Sequence, residues 1–367
     1  MRPRGVTGVQ THFQQFMGYL QSRAIETCLV TPYSVSKLLV YPLFALRRLI
    51  HFFSTSWSVW WYREVHAWVL KIALRRSLRD AEGCVVYAQC PLSAAAALRV
   101  RRPGQRVVLV AHFNISQADE WVGMGLIDKD GWLYRSILAF EARVLPQLDG
   151  IVYVSRFMQE HVESRIPSVK AVRSVVLPNF VSDPRDVSVA SPVADLITIG
   201  TVEPRKNQLY LVEILAAAKS MGRVLTLTVV GDGPDLSRMK QRAKHLDVES
   251  QIFFKGFVPN AASLISGHRA YIHVARMESF GIVLIEAQAC GVPVFAPKAG
   301  GMGEAFEDGV TGWGIPLGDV QAAARVLIAI FSDEDMLQSA GSAARERFLN
   351  YFETTRVASE LRSFLVS

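Results

Sequence analysis

Two carboxylates eight residues apart, Glu278 and Glu286, bracket the stretch of this chain best suited to chemistry, ESFGIVLIEAQACGVPV. The run IVLIEAQAC is helix-like, Gly291-Val292-Pro293 stops it, and VPVFAP is expected as a buried strand. Glu278 thus precedes a helix, and Glu286 lies one to two turns inside it. The helix start between them offers free N–H groups and a positive dipole end, a natural seat for a diphosphate. Glu286 would then accept bonds from a ribose and Glu278 from a sugar ring. Spacing alone equally allows a loop glutamate and another on a solvated helix face.

Other candidates stand where strands hand over to helices. Gly200-Thr-Val-Glu-Pro-Arg-Lys-Asn207 follows one strand, so Arg205 and Lys206 bring two fixed positive charges to a helix entrance. The alternative is a turn with solvated basic tips. His112 ends the strand RVVLVAHF, where it could bond a sugar hydroxyl or orient an acceptor; Asp119 and Glu120 are expected in the loop behind it. Gly231-Asp-Gly-Pro234 and Gly301-Met-Gly303 are broken dinucleotide fingerprints, with Leu236 and Phe306 in place of the third glycine, and read as tight turns. That disfavours a dinucleotide oxidoreductase. Serine-hydrolase, zinc-protease and Walker motifs are missing, and no metal site is expected.

The elements that must position these residues form two successive strand–helix alternations. One runs from Gly83 to Pro178 and the second from Leu196 to Ser332, with a polar, proline-bearing linker at 182–194 and a helical tail over 333–367. WGIPLGD is expected as a loop, and ETCLVTP, near the start, as a strand. The Gly5–Gly8 turn opens a helix with no strand before it, so the first domain is expected to lack its first strand or to have its true start upstream of Met1.

Charge is uneven. Residues 1–190 carry 23 Lys and Arg against 14 Asp and Glu, whereas residues 191–367 carry 17 against 19. Between Lys37 and Arg79 there are eight basic residues and one acidic, with four of the seven tryptophans, Trp57, Trp60, Trp61 and Trp68. Such helical segments suit the headgroup boundary of an anionic bilayer, or else pack on their own domain with a solvated basic face. Nucleic acid is not expected, since no recognition motif accompanies the charge. The four scattered cysteines are expected to be core filler in a reducing compartment.

Taken together, GTVEPRKN, VVGDGP, FKGFVPN and ESFGIVLIEAQACGVPVFAPKAGG resemble, in order and spacing, the retaining family 4 glycosyltransferases of GT-B fold, including bacterial mannosyltransferases of polysaccharide assembly. The resemblance is strongest over 195–315 and looser in the N-terminal half, through VQTHF, VAHF and DGIVYVSRFM. It implies two Rossmann-like parallel-sheet domains facing a cleft: an acceptor domain at 1–185, a donor domain at 186–345, and a C-terminal helix at 346–367 returning to the first. It further implies that Glu286 binds the ribose of a nucleotide-sugar and Glu278 the transferred sugar. Backbone groups of Phe280, Gly281, Ile282 and Val283 would line the sugar and phosphates. Arg205 and Lys206 would neutralise the leaving diphosphate, Val258 would meet the base, Gly8 would close on the phosphates, and His112 would face the acceptor.

The two glutamates would therefore grip one donor, and the acid–base pairing of glycosidases does not transfer. The chain departs from the family at Gly200-Thr201, where Gly-Arg is frequent, and at Thr7-Gly8, where a Gly-Gly pair is usual. The expected activity is hexose transfer from a nucleotide-diphosphate sugar, GDP-mannose favoured, to a lipid-linked or polysaccharide acceptor. It would need no cofactor and would take place at the cytoplasmic face of the cell membrane. The alternative is a non-catalytic nucleotide-sugar-binding or scaffold subunit.

Overall fold

The computed structural model describes residues 8–113, 115–184 and 192–367. The Gly5–Thr7 part of the expected glycine loop and most of the expected linker lie outside the described residues. The chain divides into two compact units, one running to Pro178 and including Ala358–Ser367, the other Asn179–Val357.

In the first unit, β1 (Val85–Ala88), β2 (Arg106–Ala111), β3 (Gly150–Tyr153) and β4 (Ser174–Val176) form a parallel sheet in that order. The strands are short apolar runs, and β2 and β3 are buried almost throughout, as expected of a parallel sheet covered on both faces. Among the described residues no strand precedes β1. The segment ETCLVTP, expected as a strand, forms none. Val30 packs instead on the helices that follow, Thr31 caps a short 3-10 turn at Pro32–Ser34, and Cys28 and Leu29 stay exposed, so no apolar face is left to seek a partner strand. At the far end of the chain, Phe364 lies against Gly150 of β3, and Arg106 donates to the Leu365 carbonyl.

In the second unit, β5 (Ala194–Ile199), β6 (Leu227–Val230), β7 (Ile252–Gly256), β8 (His268–Ile272), β9 (Val294–Ala296) and β10 (Gly312–Gly314) form a parallel sheet of order β10-β9-β8-β5-β6-β7. Its core joins Leu196, Val229, Ile272 and Phe295 of the strands to Leu211, Leu215, Leu327 and Phe331 of the covering helices. The chain order reverses between β5 and β8, the crevice where open α/β sheets bind ligands. The start of WGIPLGD, expected as a loop, supplies most of β10. Trp313 stacks on Phe295 at 5.2 Å, and Gly312 is needed because a Cβ there would fall 2.2 Å from the Val294 carbonyl oxygen. The thiols are not core filler either: Cys28 is exposed, and Cys84, Cys90 and Cys290 are half-buried.

Candidate functional site

The loops leaving the carboxyl ends of β5 and β8 meet at the reversal point and place Glu278 at their centre. Lys206 pairs with Glu278 Oε1, and Arg205 reaches the same oxygen at 3.4 Å. His273 Nε2 stands 3.6 Å from it, beyond hydrogen-bonding range. Arg205 is also held by Glu203 at 2.9 Å. The backbone fixes both loops. Asn207 adopts the left-handed conformation (φ 61°), which asparagine tolerates, and its side chain donates to the Val274 carbonyl at 3.2 Å. The Arg276 amide donates to the Arg205 carbonyl, and Gln208 ties back to Glu203 and Thr201.

Burial alone would raise the Glu278 carboxyl. The Lys206 ammonium, and then the Arg205 guanidinium, outweigh it and hold the group far below the usual carboxylate range. Burial pushes the His273 imidazole down, so it stays neutral near pH 7. Glu286 is the reverse case. It lies at the fifth position of helix Ile282–Ala289, meets no compensating cation among the described residues, and is raised by burial to about 7.

The predicted donor residues of the second unit lie along the same sheet edge. Gly281, left-handed at φ 91°, caps the helix, and Ile282 and Val283 form its first turn, where helix geometry leaves N–H groups without intrahelical acceptors. Phe280 is buried against Phe352 at 5.7 Å, anchoring the helix start. Gly300 forms a bridge with Glu278, and a Cβ there would fall 2.3 Å from the Glu278 carbonyl oxygen. Val258 lies two residues beyond β7. The GDG turn is structural: Cβ atoms at Gly231 and Gly233 would fall 1.9 Å from the Gly200 and 2.3 Å from the Val202 carbonyl oxygens. Among the described residues no three His, Cys, Asp or Glu side chains gather as a metal site.

In the first unit, His112 follows β2 directly, and Gly8 opens helix Gly8–Ser22. Burial, and then the neighbouring His12, push the His112 imidazole well below its usual value. The two rings meet edge-on at 4.6 Å, and His12 Nε2 bonds the Tyr87 hydroxyl at 2.9 Å. Asp119 and Glu120, expected in a loop, belong to helix Gln117–Gly123. Asp119 is engaged by Ser116 and by the Tyr134 hydroxyl at 2.9 Å, a helix-start role. Sequence reasoning missed His273, Glu203 and His12. His273 carried a faint signal, a lone histidine ending the apolar run AYI.

Residues 184–347 match the family described as glycosyl transferases group 1, and residues 6–185 match glycosyltransferase family 4. The chain belongs to family 4 of the GT-B glycosyltransferases. This family 4 chain is 34% identical over 134 residues to an N-acetyl-alpha-D-glucosaminyl L-malate synthase of Bacillus anthracis, covering 36% of the chain and 35% of that protein. It is 25% identical to a GDP-mannose-dependent alpha-(1-6)-phosphatidylinositol monomannoside mannosyltransferase of Mycolicibacterium smegmatis, covering 78% and 76%. The match to a Mycobacterium tuberculosis glycogen synthase, 26% identical, covers 62% of the chain and 56% of that protein. Among solved structures, Anabaena HepE in complex with UDP and glucose superposes with TM-score 0.65 at 21% identity, covering 81% of each chain. Staphylococcus aureus TarM superposes with TM-score 0.66 at 15% identity, covering 81% and 59%.

Proposed function

We propose that this family 4 chain is a retaining hexosyltransferase that uses a nucleotide-diphosphate sugar. The observation that carries it is the convergence of Lys206 and Arg205 on Glu278 at the β5/β8 reversal, beside the helix opened by Gly281. In the reaction, the bond between the anomeric carbon and the diphosphate oxygen breaks, and its electron pair stays with the diphosphate. Arg205, Lys206 and the first amides of the helix stabilise that growing negative charge. The sugar becomes cation-like, and the Glu278 carboxylate holds and polarises it. Glu286 accepts from the ribose hydroxyls, Val258 meets the base, and His112 orients the acceptor. The acceptor hydroxyl attacks from the face the diphosphate leaves, and its proton passes to a phosphate oxygen. The two cations supply the neutralising charge, so turnover is expected without a metal.

The donor is assigned as GDP-mannose, in keeping with the GDP-mannose-dependent activity of the mycobacterial relative, and the acceptor as a lipid-linked glycan or polysaccharide. The work is assigned to the anionic inner face of the cell membrane, reached through residues 33–79. Among the described residues no helix is long and apolar enough to cross a membrane. Incubating the protein with radiolabelled GDP- and UDP-sugars, with and without a chelator, tests this. Slow donor hydrolysis that is indifferent to the chelator is expected, fastest with GDP-mannose. Tight binding without any turnover would overturn the enzymatic assignment.

A further inference from the structure

Residues 33–79 fold into two helices that use their apolar side chains in opposite ways. Helix Thr55–Ser77 turns most of them inward, with only Trp57 and Trp68 exposed among its large ones: Val59, Val65, Val69, Leu70, Ala73 and Leu74 are buried, and Trp61 donates its indole N–H to the Leu43 carbonyl at 2.9 Å. Helix Lys37–Phe53 packs only its Val40, Leu43 and Phe44 side. Its opposite side is also apolar and faces water. Leu38, Phe52 and Phe53 are 89%, 86% and 85% exposed, with Tyr41, Leu46 and Leu49 exposed between them. Positions 38, 41, 45, 49 and 52 recur at helical spacing, so they make one continuous stripe. A soluble helix that is apolar on both sides is normally covered on both.

The border of that stripe says what covers it. Arg48 and His51 are exposed along one edge, and with Phe44 and Arg47 they line a recess of about 360 Å³. Arg47 lies over the Tyr62 ring at 4.8 Å. With eight basic residues to one acidic between Lys37 and Arg79, a second copy docked on the stripe would set like charge against like. An anionic lipid surface offers the complement: acyl chains for the stripe and phosphates for its rim.

We propose that helix Lys37–Phe53 lies flat in the interface of an anionic membrane. Leu38, Tyr41, Leu49, Phe52 and Phe53 enter the acyl region, the exposed Arg48 and His51 sit at the lipid phosphates, and Arg47 stays on the packed side, held by Ser58 and the Tyr62 ring. This rests on the membrane assignment above and adds which surface enters and how the helix is rolled. The apolar face would sink ~5–10 Å, so the helix anchors the first unit without spanning the bilayer.

Flotation of the full chain with phosphatidylglycerol-containing vesicles, against phosphatidylcholine alone, tests it. Wild type and a control carrying Val224→Glu with Met336→Glu, two exposed apolar sites of the second unit, should float with the anionic vesicles. Leu49→Glu with Phe52→Glu should float at least about tenfold less, with an unchanged far-UV spectrum. Arg48→Glu should reduce the preference for anionic lipid. If the Leu49/Phe52 variant floated like wild type, the helix placement would be wrong and the membrane assignment would stand. If wild type failed to float, both would fall. A wild-type dimer in light scattering that this variant dissociates, with no vesicle binding, would make a second copy the occupant and overturn the proposal.

Discussion

Replacing Glu286 with glutamine should stabilise the protein at alkaline pH while harming nucleotide binding. Burial raises this carboxyl from 4.5 to about 7 with no cation among the described residues to offset it. Below pH 4.5 the group is protonated in both the folded and unfolded chain, so it contributes nothing to the pH dependence. Between 4.5 and about 7 the unfolded chain releases the proton and the folded one keeps it, so stability falls as pH rises. Above 7 the loss is complete. At 1.36 kcal/mol for each tenfold, the displacement amounts to at most about 3 kcal/mol, since the carboxyl keeps partial access to water. Glu286→Gln should therefore unfold in urea with a clear advantage over wild type at pH 8, and with little difference at pH 4.5. If ribose hydroxyls donate to the carboxylate, wild-type affinity for GDP or UDP should also rise between pH 6 and 8, while the variant's stays flat and low. A variant no more stable relative to wild type at pH 8 than at pH 4.5 would refute the desolvation argument.

Arg205→Ala combined with Lys206→Ala should lower turnover by at least about 10²-fold, the cost of losing an oxyanion stabiliser; full turnover with labelled donor would dismiss the clamp. Glu278 is held below its ordinary range, so its contribution to stability is present above about pH 4.5 and is lost as pH falls. Glu278→Gln should accordingly flatten the acid limb of a stability–pH profile, and an unchanged limb would count against the ion-pair cluster. Gly231→Ala would push a Cβ to 1.9 Å from the Gly200 carbonyl oxygen at φ 144°, so a loss of more than about 2 kcal/mol in urea unfolding is expected.

The alternation of strands and helices was legible because parallel strands covered on both faces are unbroken apolar runs closed by glycine, proline or asparagine. RVVLVA and LTVV are plain instances. Where burial depends on a distant neighbour, that signal disappears. GWG has glycine at both ends and becomes β10 only because Val294–Ala296 lies beside it. ETCLVTP has strand-like residue types, but its Val30 finds helices to pack on. At the site, residue types were readable and pairings were not. Arg205 and Lys206 are more than 70 positions from Glu278. Only the β5/β8 adjacency brings them together, because loops distant in sequence but flanking the same reversal point share one crevice.

That pairing alters what the cations can do. Taken alone, Arg205 and Lys206 are two free charges waiting for phosphate. In the fold they face Glu278 and Glu203, while His273 is kept neutral by burial, so the cluster is close to charge balance. Long basic side chains lose rotamer freedom when they grip a ligand. Here Glu278 has already imposed that loss, holding both heads on one side of a carboxylate beside the helix start. In the reaction proposed above, a diphosphate arriving there would meet positioned donors and share them with Glu278. As the glycosyl bond opened, negative charge would grow on the diphosphate and positive charge on the sugar. The cations would then follow the diphosphate, and the carboxylate they partly release would be freed toward the sugar. On that proposal one ion-pair cluster would serve both halves of the charge separation, and its interactions would strengthen as the bond breaks, which is the condition for lowering the barrier.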